Sequence, residues 1–495
     1  MQLQFDARFR RDLVVLALPI AGQVFLEFSV NFIDTLMIGR LGEAEIAGVG
    51  VANQIFFVVS LFFFGIASGI GVFVAQYWGK RDVTNIRHVQ GVAVALALGT
   101  ALVTASLAIS APRWIIGLFT ADQAVVASGA AYLRIVAFSY PLTALIATYS
   151  SVVRSCGESG LPFRATIVGF CINVVLNSVL IFGLFGLPAL GVRGAAIGTL
   201  IARAIELTVL LRSTYARGLP AAARLQQMFR WPDRLFSRVM ATAGPVIANE
   251  VAWVVGVTMY SVVFGRIGTE AFAARHIADT VFRLTLVLFI GVGNASYVMI
   301  GNTIGSGDRE RARAMAWQFQ ILAPSAAIVA GAILAAAAPF VSVVFAVSDL
   351  TAQYATTFLF IIAATFPVKA ITLVQMVGVF RGGGDTRFAL LVDLLGVWGI
   401  GVPLTFLTGL VLRWPVGVVF FISGSEEIVK AVVGVIRTHS GRWLNDLTTA
   451  ETAATAEATQ VPGPTATDPA YLSAAASACP ATVGELPQAD DRSSQ

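Results

Sequence analysis

The sequence predicts an all-α membrane protein with twelve transmembrane helices in two six-helix lobes, related by a pseudo-twofold axis along the membrane normal. Three observations lead there. First, a pattern recurs at an offset of 226 residues. IGRLGEAEIAG around Gly39 returns as FGRIGTEAFAA around Gly265, and Pro19, Gly39, Arg40, Gly42, Gly79 and Asp82 fall on Pro245, Gly265, Arg266, Gly268, Gly305 and Asp308. RSCGES at 154–159 returns as RGGGDT at 381–386, the offset now 227. A register kept over so long a stretch marks a duplicated architecture. Second, the chain is 57% hydrophobic and 12% charged, where soluble domains carry about 25% charge. Third, the apolar runs are continuous and do not alternate, which argues for helices, whose backbone groups pair within the segment.

About 20 apolar residues cross a hydrocarbon core of ~30 Å, and twelve runs meet that length. The first half holds 13–38, 46–77, 89–111, 126–153, 163–186 and 192–212. The second holds 239–264, 272–304, 314–345, 351–380, 388–411 and 414–437. Lys and Arg crowd alternate loops: Arg8, Arg10, Arg11, Lys80, Arg81, Arg87, Arg154, Arg164, Arg309, Arg311, Arg313, Arg381 and Arg387 lie on one side, against Arg40, Arg113, Arg193, Arg266, Arg275 and Arg413 on the other. The positive-inside rule then places both termini in the cytoplasm. Six spans per half is an even number, so the halves enter the membrane in the same direction and are not inverted repeats.

The N-terminal lobe is therefore expected over 1–212 and the C-terminal lobe over 239–445. The basic stretch 213–238, with Leu225, Met228, Phe229 and Trp231, reads as a cytoplasmic linker carrying an interfacial helix. Residues 446–495, rich in Ala, Thr, Pro, Ser and acid, read as a disordered cytoplasmic tail.

Several functions are excluded by what is missing. Gly79-Lys80 runs into Arg81 and lacks the earlier glycine of a phosphate loop, so ATP hydrolysis is not expected, nor is any cofactor beyond a coupling ion. Cys156, Cys171 and Cys479 are too scattered for a metal site or disulfide framework, and His88, His276 and His439 lie near loops. No GxSxG nucleophile motif is present. The net charge of +5 sits in loops between spans, which points to topology rather than nucleic acid.

The chemistry then falls to ionisable groups inside the spans, each costing about 2.5–3.5 kcal/mol at a helix centre on insertion scales. Local spacing pairs some of them: Asp279 with Arg283 and Glu426 with Lys430 at i,i+4, and Arg203 with Glu206 at i,i+3. Glu27, Asp34, Glu250 and Asp393 have no local basic partner, and Glu427 has none unless it shares Lys430; Asp393 lies near a helix end and can reach water. Asp34 and Glu250 are the sharpest candidates for ion coupling. They do not correspond under the repeat, which sets Asp34 on Tyr260 and Glu250 on Val24. Burial favours the neutral form of a carboxylate, so such a group can exchange a proton, or hold Na+ with nearby oxygens. Asn173 and Asn177 share one helix face and are expected to complete an ion site with Asp34. Glu27, Tyr140, Tyr260, Lys369 and Glu427 are expected to contact substrate.

Together, NFIDTLMIGRLG at 31–42, GVFRGGGDTRFAL at 378–390 and the 6+6 duplication resemble the multidrug and toxic compound extrusion (MATE) family over about residues 10–445. The resemblance implies a monomeric, inner-membrane antiporter that exports organic cations against inward H+ or Na+ by alternating access. It places the family's coupling aspartate of the first helix at Asp34 and the acid of the seventh at Glu250. Two departures stand out. The family's fifth-helix Asn-x-x-x-Asp is Asn173 and Asn177 here, and the tenth-helix acid of some Na+-coupled members has no counterpart near Lys369 or Ile371. A lipid-linked precursor flippase or a metabolite exporter of the same superfamily is the alternative; the flippase calls for a more cationic cavity.

Overall fold

The computed structural model describes residues 6–341, 345 and 347–448. The described residues are helical with no strand. Among the described residues, eleven helices are long and apolar enough to cross a membrane: α1 Ala7–Ile38, α2 Glu43–Gly79, α3 Val83–Ser110, α4 Gln123–Ser155, α5 Gly160–Phe182, α6 Val192–Ala216, α7 Leu235–Ile267, α8 Thr269–Gly305, α9 Arg309–Phe340, α10 Asp349–Phe380 and α11 Thr386–Val411. The twelfth, α12 at 416–440, is broken into Val416–Ser423 and Glu426–Ser440. Gly424 and Ser425 interrupt it just ahead of two glutamates, so neither half alone spans a bilayer. The twelve expected segments are all present, though several run longer; α2 has 37 residues, about 55 Å at 1.5 Å each.

The repeated residues explain the frame. Asp82 and Asp308 each cap the helix that follows, accepting from the backbone N–H of Asn85 at 3.1 Å and of Arg311 at 2.9 Å. Gly79 and Gly305 sit where α2 and α8 cross: a Cβ on Gly79 would meet the Asn302 carbonyl, and one on Gly305 the Gln76 carbonyl. Only glycine allows that approach.

Each lobe has its own apolar core, yet the first turns of α1 and α7 change sides. Phe9, Leu13, Leu16 and Ala17 pack in the core of the second half, with Phe9 at 5.1 Å from the Phe319 ring. Leu235, Val239 and Ala243 pack in the core of the first half. The lobes are sewn together at this end. Gly69 lies on Ala243, and Gly291 lies on Ala17 and Ala21. Gln76 donates to the carbonyls of Gly382 and Asn445 and accepts from the Leu447 N–H, while Lys80 lies 3.7 Å from Asp446. Ordered packing thus runs to Leu447, two residues past the expected lobe end, and the tail beyond Thr448, with Cys479, lies outside the described residues. The connection between halves also packs: its short helix Leu225–Met228 buries Met228, whose carbonyl occupies the space a Cβ on Gly91 would need.

Candidate functional site

The two glycine-containing loops of the repeat act as clamps on the first helix of each lobe. Arg154 donates to Gln23 Oε1 at 3.0 Å, and Arg381 donates to Glu250 Oε1 at 2.6 Å and to Ser68 Oγ, across the lobe seam, at 3.0 Å. Asp385 accepts from Arg437 at 2.8 Å and so fixes the end of α12; burial pushes its carboxyl above the usual range, and the guanidinium offsets this only in part. Glu250 is therefore not an unpartnered acid. Its cation comes from a loop 131 residues away, which local spacing could not reveal.

In the N-terminal lobe Asp34 is buried at 6% exposure. Asn177 Nδ2 donates to its carboxylate at 2.6 Å and to Asn173 Oδ1 at 3.3 Å, and Asn173 Nδ2 donates to Thr199 at 3.3 Å. The expected trio of Asp34, Asn173 and Asn177 is thus one hydrogen-bonded line between α1, α5 and α6. Gly198 makes room for it, because a Cβ there would collide with Asn177 Oδ1. Arg203 and Glu206 pair as expected, at 2.7 Å, and Thr166 donates to Glu206 at 2.8 Å. Glu27 accepts from Gln23 at 3.3 Å. Among the described residues neither Asp34 nor Glu27 forms an ion pair within 4 Å.

The C-terminal lobe is built differently. Lys430 lies 3.4 Å from Asp393 and 3.2 Å from Glu427, and Asn249 donates to Asp393 at 2.9 Å. Two expectations are corrected here. Lys430 pairs with Glu427 and not Glu426, because Lys430 turns toward Asp393 on α11 while Glu426 turns toward Gly401 and the Tyr260 hydroxyl. Asp393, at 9% exposure, is held by that lysine and does not reach water. A third correction concerns Asp279, which pairs with Arg275 at 3.5 Å. Arg275 is buried with its guanidinium 4.9 Å from the Phe264 ring, whereas Arg283 on the next turn is exposed.

The expected substrate contacts divide between the lobes. Tyr140 is fully buried and packs on Phe56 at 5.4 Å. Tyr260 is buried beside Glu426. Lys369 places its ammonium 5.0 Å over the Phe282 ring. Thr372 donates to Glu427. Tyr260, Lys369 and Glu427 thus gather around Glu426 in the C-terminal lobe, apart from Glu27 and Tyr140 in the N-terminal lobe. Arg381, Gln23, Thr199 and Asn249 were missed as site residues, although the pairing of Arg154 with Arg381 in the repeat carried the signal for one of them.

The MatE family model matches residues 19–179 and again 245–407. The second match begins at Pro245, the partner of Pro19 in the repeat. The chain belongs to the MATE family. It is accordingly a multi-pass membrane transporter. Its relatives include the probable multidrug resistance protein NorM of Agrobacterium fabrum, 26% identical over 399 residues (79% of this chain, 85% of that one). The multidrug resistance protein PmpM of Pseudomonas aeruginosa is 25% identical over 413 residues, covering 81% and 84% of the two chains. In structure it is similar to a mutant of the Vibrio cholerae MATE transporter VcmN, with a TM-score of 0.79 at 18% identity over 89% of this chain and 98% of the other. A MATE transporter described as outward-facing also gives 0.79 at 18% identity, over 87% and 96%.

Proposed function

We propose that this transporter is a multidrug efflux antiporter of the bacterial inner membrane, with both termini in the cytoplasm, exporting amphiphilic organic cations in exchange for H+ or Na+. One observation carries the reading: Asp34 is a buried carboxylate held by amides and no cation. Such a group can take up a proton or a metal cation without leaving a buried positive charge unpaired. Ion binding at Asp34, with Asn173 and Asn177, reshapes α1 against α5 and α6 and favours release of substrate outside. The lobes meet tightly at the end that carries the termini, which supports a state closed on that side. Glu250 and Arg381 close the inner end; Glu250 contributes to coupling when that clasp parts. Ion and substrate must prefer different states, since a ligand shifts an equilibrium only by its differential affinity. Names of relatives such as NorM and PmpM, both multidrug resistance proteins, support the substrate class.

The test is uptake of a fluorescent organic cation into inside-out vesicles under a proton gradient or a Na+ gradient. Transport under one gradient, lost in Asp34→Asn, is expected. Full gradient-driven transport in Asp34→Asn would overturn the assignment, and transport under neither gradient would favour the flippase alternative.

A further inference from the structure

Beside the Asp34 line lies a cavity of about 20 Å3 lined by Glu27, Thr166, Asn173, Thr199, Arg203 and Glu206. A polar cavity needs about 10–15 Å3 to hold one water, so this one has room for a single molecule. Glu27 and Asp34 stand two turns apart on α1, and Asn173 belongs both to the cavity and to the line that ends at Asp34. Asn177 Oδ1 is fully buried and has no hydrogen-bond partner, although amides can present either a donor or an acceptor.

We propose that Glu27 is the second proton-binding group of the N-terminal lobe, joined to Asp34 through one water in this cavity and the Asn173–Asn177 pair, and that Arg203 restricts the site to H+. This rests on the antiport reading above and names its ion. With Asp34 ionised, Asn177 donates to it, as observed. With Asp34 protonated, the same amide can turn its unpartnered oxygen to the new O–H, and the change passes through Asn173 and the water to Glu27. A proton needs only a carboxylate oxygen. A Na+ in the cavity would have to displace the water and stand beside the Arg203 guanidinium, where repulsion is weakly screened.

The charged and titratable groups around Glu27 are few. Arg203 and Glu206 face it from α6, Arg154 of α4 reaches it through Gln23, and Asp34 lies further along α1. Tyr132 of α4 lies near Asp34 and Thr199. The face of α5 toward the cavity offers Thr166, Gly169, Phe170 and Asn173, none of which titrates. At the α8 contact Gly291 meets Ala17 and Ala21.

The test is proton release from purified protein in weak buffer with a pH-indicator dye, on adding tetraphenylphosphonium, in KCl or in NaCl. Wild type is expected to release protons equally in both salts. Glu27→Gln is expected to release about twofold fewer, and Glu27→Asp to recover them. The neutral pair Arg203→Gln/Glu206→Gln is expected to release protons on Na+ addition alone. If Glu27→Gln matches wild type from acid to mildly alkaline pH while Asp34→Asn is deficient, the role of Glu27 is wrong. If Na+ alone releases protons from wild type, the restriction to H+ is wrong. Undiminished release from Asp34→Asn would instead overturn the antiport reading beneath it. Should Glu27→Gln fail to fold, the Glu27→Asp and double-variant arms still decide.

Discussion

The two lobes share a frame and treat buried charge in opposite ways. Gly169 of α5 lies against Glu206, and its repeat partner Gly396 of α11 lies against Lys430. Thr214 and Thr438, each fully buried and bonded to the carbonyl four residues back, set the same register of 224 between α6 and α12. In that register the pair Arg203–Glu206 falls on Glu427–Lys430: an ion pair of the same spacing with the signs exchanged. Thr166, which donates to Glu206, falls on Asp393, which meets Lys430. The C-terminal lobe gives Asp393 and Glu427 a lysine and Glu250 an arginine, and leaves only Glu426 of its buried acids without an ion pair among the described residues. The N-terminal lobe leaves Asp34 to an amide, and gives Glu27 an amide with the Arg203–Glu206 pair across the cavity. A buried ion pair resists protonation, because neutralising one partner strands the other. An amide-held carboxylate carries no such penalty. The difference supports the proposed place of ion exchange in the first lobe, and it marks Asp393 and Glu427 of the second as tied by charge.

The largest expected effect breaks that division directly. Asp34→Asn should abolish gradient-driven transport while leaving the protein folded, because asparagine can still hydrogen-bond with Asn177. Substrate binding to the purified protein, measured by equilibrium dialysis, should survive. If Glu250→Gln in the C-terminal lobe abolished transport as fully without lowering thermal stability, the contrast between lobes would fail.

Next in size is a stability effect confined to the second lobe. Lys430→Met removes the cation shared by Asp393 and Glu427 and should cost about 3–5 kcal/mol, read as a lowered Tm in detergent. Adding Asp393→Asn and Glu427→Gln should recover much of the loss, since no charge is then left unpaired.

How much of this could be read from the chain depended on distance along it. The twelve spans, the duplication and the Arg203–Glu206 pair follow from local periodicity and spacing, and so does the shared face of Asn173 and Asn177. The partners of Glu250 and Asp393 lie 131 residues and 37 residues away along the chain, and no local rule reaches them. Asp279 had an arginine four residues away on either side. The choice of Arg275 depends on the ring of Phe264 on the neighbouring helix, which only packing brings near. The break in α12 was written in Gly424-Ser425-Glu426-Glu427, but continuous apolarity on both sides concealed it.

A smaller effect sharpens the account of Asp34. Asn177→Ala removes the donor that stabilises its charged form and leaves a buried acceptor, a loss of about 1–3 kcal/mol. The bond lost by the charged form is stronger than the one lost by the protonated form, so a proton should bind more tightly, transport should half-saturate at a proton concentration a few-fold lower, and the step that releases the proton should slow. Vesicle uptake measured over a range of driving-ion concentrations separates the two.

The smallest effect compares two glycines that serve the two clusters. Gly198 lies against Asn177 Oδ1 and Gly401 against the Tyr260 hydroxyl. A methyl at either position must displace the polar group it meets. In Gly198→Ala the group that must move orients Asp34, so ion dependence should change by a few-fold. In Gly401→Ala the displaced hydroxyl touches no ion-exchanging carboxylate, so overpacking should cost about 1–3 kcal/mol and leave ion dependence unchanged. Thermal unfolding and ion-titrated uptake on both variants decide the matter: if Gly401→Ala shifts ion dependence as far as Gly198→Ala does, Glu426 beside Tyr260 exchanges ions too, and the lobes are less different than their partners suggest.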